Sequence, residues 1–164
     1  MLLDLPTAAR YNQWANKRIY TACDLLTPDD LALDRRGFFK SIIGTLNHIL
    51  LADLIYRERL ENKPTTYTRL DEVLYQDFKQ LRSAQKIQDH WYTDFCEKLD
   101  SLMLDGTLSF DTVETGEFFS LPLRSCLNNL YEHQIHHRGQ VHHMLSHAQI
   151  DPPPLDFIKF SAGE

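Results

Sequence analysis

Cysteine is scarce in this chain, and what there is does not pair by motif. Cys23, Cys96 and Cys126 are three in number and form no CxxC. That excludes a disulfide scaffold and a zinc finger, and suits a reducing compartment in which each thiol is small packing. Positive charge is also in deficit, with 17 basic against 23 acidic side chains and a formal net charge of -6. No basic stripe overrides that balance, so a nucleic-acid partner is not expected. Long apolar runs are absent as well. The most apolar stretch, Ile42 to Tyr56, is interrupted by Asn47, His48 and Asp53, which argues against a membrane span. The start, Met1-Leu2-Leu3-Asp4-Leu5-Pro6, lacks the basic and apolar regions of a signal peptide, and a cytoplasmic setting is expected. There is no glycine-rich phosphate loop, no Ser/His/Asp arrangement, no internal repeat and no low-complexity linker. At 164 residues the chain reads as one domain over 1–164, able to bury roughly two-thirds of its unfolded surface without a staple.

What is abundant is histidine in one place. Of eight histidines, six fall between His133 and His147, in a segment with helical spacing. Neutral imidazole is a borderline ligand for zinc, nickel, copper or iron, so a helix with histidines four apart can grip an ion. Four helices are predicted around it: one to about Leu26, one from about Phe39 to Glu61, a long pattern from Leu70 to Leu104, and one from Pro122 to about Gln149. Thr27-Pro28-Asp29-Asp30 opens a short extra turn. A β-hairpin is expected before the last helix, with Leu108–Val113 and Phe118–Leu121 flanking Glu114-Thr115-Gly116-Glu117. Pro152-Pro153-Pro154 ends the helical reading. The expected fold is all-α, an up-down four-helix bundle with a small β-hairpin before the last helix.

Helical period sorts the histidines. Stepping roughly 100° per residue from Leu127 at zero, Leu123, Leu130, Val141, Leu145 and Ala148 cluster between about 300° and about 0°. His133 at about 240° and His137 at about 280° lie on or beside that stripe. His136, His143 and His147 lie on the opposite side of the helix and face away. The inward pair at ligand spacing has one bland reading, two hydrogen-bonded core imidazoles, and one chemical reading, a shared cation. A third ligand must come from another helix. His48, mid-helix in the most apolar segment, is the leading candidate, with His90 in a more polar setting as its competitor. No inward carboxylate is evident: Glu132 points away, and Asp53 with Arg57 reads as an ordinary i,i+4 ion pair. Gln140 could orient a ligand from behind, Arg138 is expected to pair with an acid, Asn12 and Asn16 to cap or bridge helices, and Trp14 and Trp91 to pack.

Tyr11-Asn12-Gln13-Trp14-Ala15-Asn16, Asn47-His48-Ile49-Leu50-Leu51-Ala52-Asp53 and His133-x-x-His136-His137-Arg138-Gly139-Gln140 resemble the DinB family of bacterial damage-inducible proteins, in the DinB/YfiT-like metalloenzyme superfamily. The resemblance covers nearly the whole chain in order. It implies a four-helix bundle, usually homodimeric, with one divalent ion, zinc or nickel, held by three histidines. Carried over by position, these are His48, His133 and His137, with His136 outside the ligand set. Relatives include thiol-dependent isomerases and S-transferases using low-molecular-weight thiols, and others described as metal-dependent hydrolases. The expectation is therefore a metal-dependent thiol S-transferase acting on a small-molecule substrate. Its alternatives are a hydrolase using water at the metal, a metal-binding stress-response dimer without turnover, and a metal-free helical interaction module.

Overall fold

The computed structural model describes residues 4–163, and its framework is four long helices: α1 (Leu5–Cys23), α3 (Ile42–Leu60), α4 (Phe78–Glu97) and α6 (Leu123–His147). Three short helices, α2 (Pro28–Ala32), α5 (Ser101–Asp105) and α7 (Phe157–Ser161), and one hairpin, β1 (Thr107–Asp111) with β2 (Phe118–Pro122), complete the described residues. Three of the long helices, α1, α3 and α4, begin at a side-chain cap, and α6 follows Pro122 without one. Asp4, Ser41 and Asp77 accept from Thr7, Gly44 and Gln80 backbone N–H groups that would otherwise have no intrahelical partner. Thr27 and Asp30 form a reciprocal capping box on α2. The fold is the expected all-helical bundle with a hairpin before its last long helix. No helix among the described residues is long and apolar enough to cross a membrane.

Three expectations are revised. The helical pattern from Leu70 does not fold as helix until Phe78, and it breaks again before α5. Residues 62–77 are instead an irregular crossover held by tertiary bonds: Asn47 donates to the Tyr75 carbonyl at 2.9 Å and accepts from the Tyr75 N–H at 2.9 Å. The crossover is long enough to carry α4 back parallel to α3 rather than antiparallel as the up-down order expected, so that Asp53 meets Gln85 and Arg57 meets Gln88 in the same sense along both helices. α1 runs antiparallel to α4, pairing Asn16 with Asp89 and Arg10 with Glu97. Finally, the chain forms one more helix, α7, after the prolines; Tyr11 packs edge-on against its Phe157 and Phe160.

The core divides into two apolar clusters. One joins Ile19, Leu46, Leu50, Leu81, Val141 and Leu145; the other joins Leu5, Ala9, Cys96, Leu127 and Tyr131. Between them lies a buried polar layer of Asn12, Asn16, Asp53, Gln85, Asp89, Gln134 and Arg138. The Arg138 guanidinium donates to the side-chain oxygens of Asn12 and Asn16, the latter at 3.0 Å. Asn16 in turn donates to Asp89 at 2.8 Å. Arg138 therefore reaches its acid through an asparagine rather than by the expected direct ion pair. Asp53 also departs from expectation. It is 1% exposed and accepts from Gln85 at 2.6 Å and Gln134 at 2.5 Å, while Arg57 pairs with Glu61 at 3.0 Å. Burial, with Asp89 nearby, pushes the Asp53 carboxyl up to about 8.

Candidate metal centre

The helix period that places Leu127 and Val141 at the centre of the bundle puts His133 and His137 at the edge of the same stripe. Both are half-buried on α6. α3 runs antiparallel beside α6 and brings the buried His48 to the same height. One nitrogen from each of His48, His133 and His137 lies within 4.8 Å of the others. His48 Nε2 and His133 Nε2 are 2.9 Å apart. Four-coordinate zinc at about 2.0–2.1 Å from each imidazole needs nitrogens about 3.3 Å apart, a spacing that the observed separations bracket.

The ring orientations fit a cation. His48 Nδ1 lies 2.7 Å from the Leu70 carbonyl, which can only accept. That Nδ1 therefore carries the proton, and the Nε2 lone pair faces the shared point. His137 Nδ1 lies 2.9 Å from Gln140 Oε1, fixing the same tautomer there. Gln140 is itself held by a contact from its Nε2 to His136 Nε2 at 3.1 Å. Two lone pairs thus converge with partners behind them, the arrangement by which metal-ligating imidazoles are oriented. Desolvation is the largest cause holding His48 down to about 4 and His133 to about 3, and it lowers His137 as well. All three are neutral at pH 7, the protonation state a metal requires.

The wall above His48 is built by a turn. Gly44 sits so close to Phe39 that an added Cβ would lie 2.3 Å from the Phe39 carbonyl oxygen, so only glycine lets the chain fold back there. The Phe39 ring then stacks on His48 with centroids 3.9 Å apart. The three histidines open into a cavity of about 670 Å³ lined also by Phe38, Phe39, Leu70, Asp71 and Glu114. An adjoining slot of about 540 Å³ shares His48, Leu70 and His133 and runs between α3, α6 and the hairpin.

The other singled-out residues lie elsewhere. His90 is exposed on α4 and accepts from Gln13 at 2.8 Å, away from the three. His143 and His147 are exposed with ring centroids 4.4 Å apart, and His142 bonds the Pro153 carbonyl at 3.1 Å. His136 is exposed and reaches the site from outside, edge-on to the His137 ring with centroids 4.7 Å apart and through Gln140. Trp14 packs on Tyr11 and Phe160, and Trp91 stacks on Phe95, so neither lines these two cavities. Glu132 is exposed as expected. Sequence reasoning missed Phe39, Leu70, Asp71 and Glu114. They come from a turn, the crossover and the hairpin, where no period marks which residues point inward.

Three imidazoles brought together between facing helices at the mouth of a cleft form a group that could hold a metal ion. The chain belongs to the DinB family, whose model matches residues 1–164. It is 23% identical over 150 residues to the uncharacterized protein YizA of Bacillus subtilis (strain 168), covering 90% of each chain. It also shares its fold with a DinB-like protein from Bacillus cereus ATCC 10987, with a TM-score of 0.62 at 20% identity. That match covers 86% of this chain and 90% of the other.

Proposed function

We propose that this protein is a metal-dependent enzyme that activates a low-molecular-weight thiol for S-transfer, with His48, His133 and His137 holding one divalent ion, zinc or nickel. The observation that carries the reading is the convergence of one nitrogen from each of three imidazoles inside 4.8 Å, with two of the rings fixed by partners at Nδ1. A divalent ion held by neutral imidazoles keeps its full charge and open positions, and so acidifies a thiol or water that reaches it. The protein's own share is positioning. The Leu70 carbonyl and Gln140 lock two rings, Phe39 keeps water off one face of His48, and the adjoining slot leaves room for an electrophile. In the transfer, a sulfur–carbon bond forms, the bond to a leaving group such as chloride breaks, and the thiol proton passes to solvent.

A second reading is favoured by one observation. Asp71 and Glu114 line the cavity, so carboxylates are present where sequence reasoning found none. Asp71 is engaged by Arg69 at 2.8 and 2.7 Å, which leaves Glu114 as the candidate base for a hydrolase. A thiol would need no such base beside an ion held by His48, His133 and His137, which keeps transfer ahead. The homodimer implied by the family resemblance and the cytoplasmic setting expected from the cysteines and the start of the sequence belong to the same proposal, and sedimentation equilibrium tests the former.

The deciding experiment uses tag-free protein loaded with zinc or nickel. It is supplied with cysteine or glutathione and 1-chloro-2,4-dinitrobenzene, and separately with a nitrophenyl ester. Thiol-dependent dinitrophenylation that disappears in His133→Ala and survives in Glu114→Gln supports transfer. Ester cleavage lost in both variants, with no thiol-dependent turnover, supports hydrolysis instead.

A further inference from the structure

The slot beside the three histidines ends on a charge with no acid to balance it. His48, Ala52, Ile55 and Arg59 recur at helical spacing and all line this slot from one face of α3. Arg59 lies about 16 Å from His48 along the helix axis. Helical side chains lean toward the N-terminus, which brings its guanidinium back over the slot. There its carbon lies 4.0 Å from the centroid of Phe110, on the hairpin strand that roofs the slot. One nitrogen, Nη2, donates to the Asp111 carbonyl at 3.1 Å, while Nε is buried without a partner. Among the described residues no carboxylate lies within 4.0 Å of Arg59, whereas Arg57, two residues earlier, has Glu61. Desolvation holds the guanidinium below its ordinary range, the mark of a cation short of a counter-charge. A planar guanidinium that lines an apolar slot with one N–H unpartnered is the side chain best suited to a carboxylate.

We infer that Arg59 is an anion-binding residue of the substrate slot, and that the site takes a molecule carrying a carboxylate beyond an apolar body. The apolar part lies along Ile55, Phe110 and Phe119, and the other end reaches the histidines. This names the substrate class for the function proposed above and rests on that reading only for which end of the ligand reacts. The rival explanation is mechanical: Arg59 pins the hairpin to α3 through Asp111 and Phe110, and binds nothing.

The test uses full-length protein stripped of metal with a chelator, so no ion can capture the probe. Octanoate and 1-octanol, alike in apolar length and different in charge, are titrated by calorimetry or ligand-observed NMR. Octanoate is expected to bind about tenfold or more tightly than octanol. Arg59→Gln should bring octanoate to the octanol level and leave octanol within about twofold, and Arg59→Lys should restore part of the difference. Equal octanoate affinity in wild type and Arg59→Gln overturns the assignment. Parallel weakening of both probes does so too, because it shows a pin on the hairpin, and so does an absence of saturable binding by either. None of these outcomes depends on whether the histidines hold a metal, so failure here and failure of the metal reading are separable.

Discussion

Replacing His48 by asparagine should make the metal-free protein less sensitive to acid, although it deletes a buried group. Asparagine can still donate to the Leu70 carbonyl that His48 Nδ1 now engages, but it cannot titrate. Burial, with His137 adding repulsion, holds the folded imidazole at about 4, against about 6.5 in the unfolded chain. Between those values the unfolded state binds more protons. The stability contributed by neutral His48 is thus complete above about pH 6.5 and is lost as pH falls through about 4. At about 1.4 kcal/mol per unit, the fall to about pH 5 costs up to about 2 kcal/mol, and about 1–2 once water entering from the cavity is allowed for. The assay is urea unfolding with chelator at about pH 7 and about pH 5. His133, His137 and the buried carboxyls of Asp53 and Asp89, which burial pushes up, titrate in both proteins, so the difference between the two losses reports on His48. Wild type should lose about 1–2 kcal/mol more than His48→Asn. Equal losses would refute the claim that His48 is held neutral by the fold.

Arg138→Met should destabilise the protein by about 3–5 kcal/mol in urea or thermal unfolding, because Asn12 and Asn16 lose their donor and the buried Asp53 and Asp89 lose their nearby cation. A change below about 1 kcal/mol would show that the polar layer needs no guanidinium. Gln140→Ala should weaken zinc binding about 10–100-fold by competition against a chelator, with little change in melting temperature of the metal-free protein, since it removes only the partner that orients His137.

Much of the bundle was legible because α1, α4 and α6 carry a helical period and prolines or caps such as Thr27 mark where helices start. The region 70–77 was not. Leu70, Leu74, Phe78 and Leu81 continue a helical spacing into it, and contacts from Asn47 and His48, with Glu72 accepting from the Thr68 and Arg69 N–H groups, override that pattern. His133 and His137 could be chosen by angle because α6 has a clear apolar stripe. Gln134 at about 340° and Arg138 at about 20° lie still closer to its centre. The polar layer was therefore also visible in the period, concealed by defining the stripe from apolar residues alone. α3 is buried around most of its circumference, so angle could not say where His48 or Asp53 points. That is why Asp53 reads in sequence as a surface partner of Arg57 and stands in the structure as a core carboxylate.

The central claim is that three particular histidines hold one ion, and metal analysis of tag-free protein tests it most directly. About one equivalent of zinc or nickel per chain is expected, lost in His48→Ala, His133→Ala and His137→Ala alike and unchanged in a His143→Ala/His147→Ala double variant. Metal retained by His48→Ala and His137→Ala, or lost only with the outward pair, would contradict it.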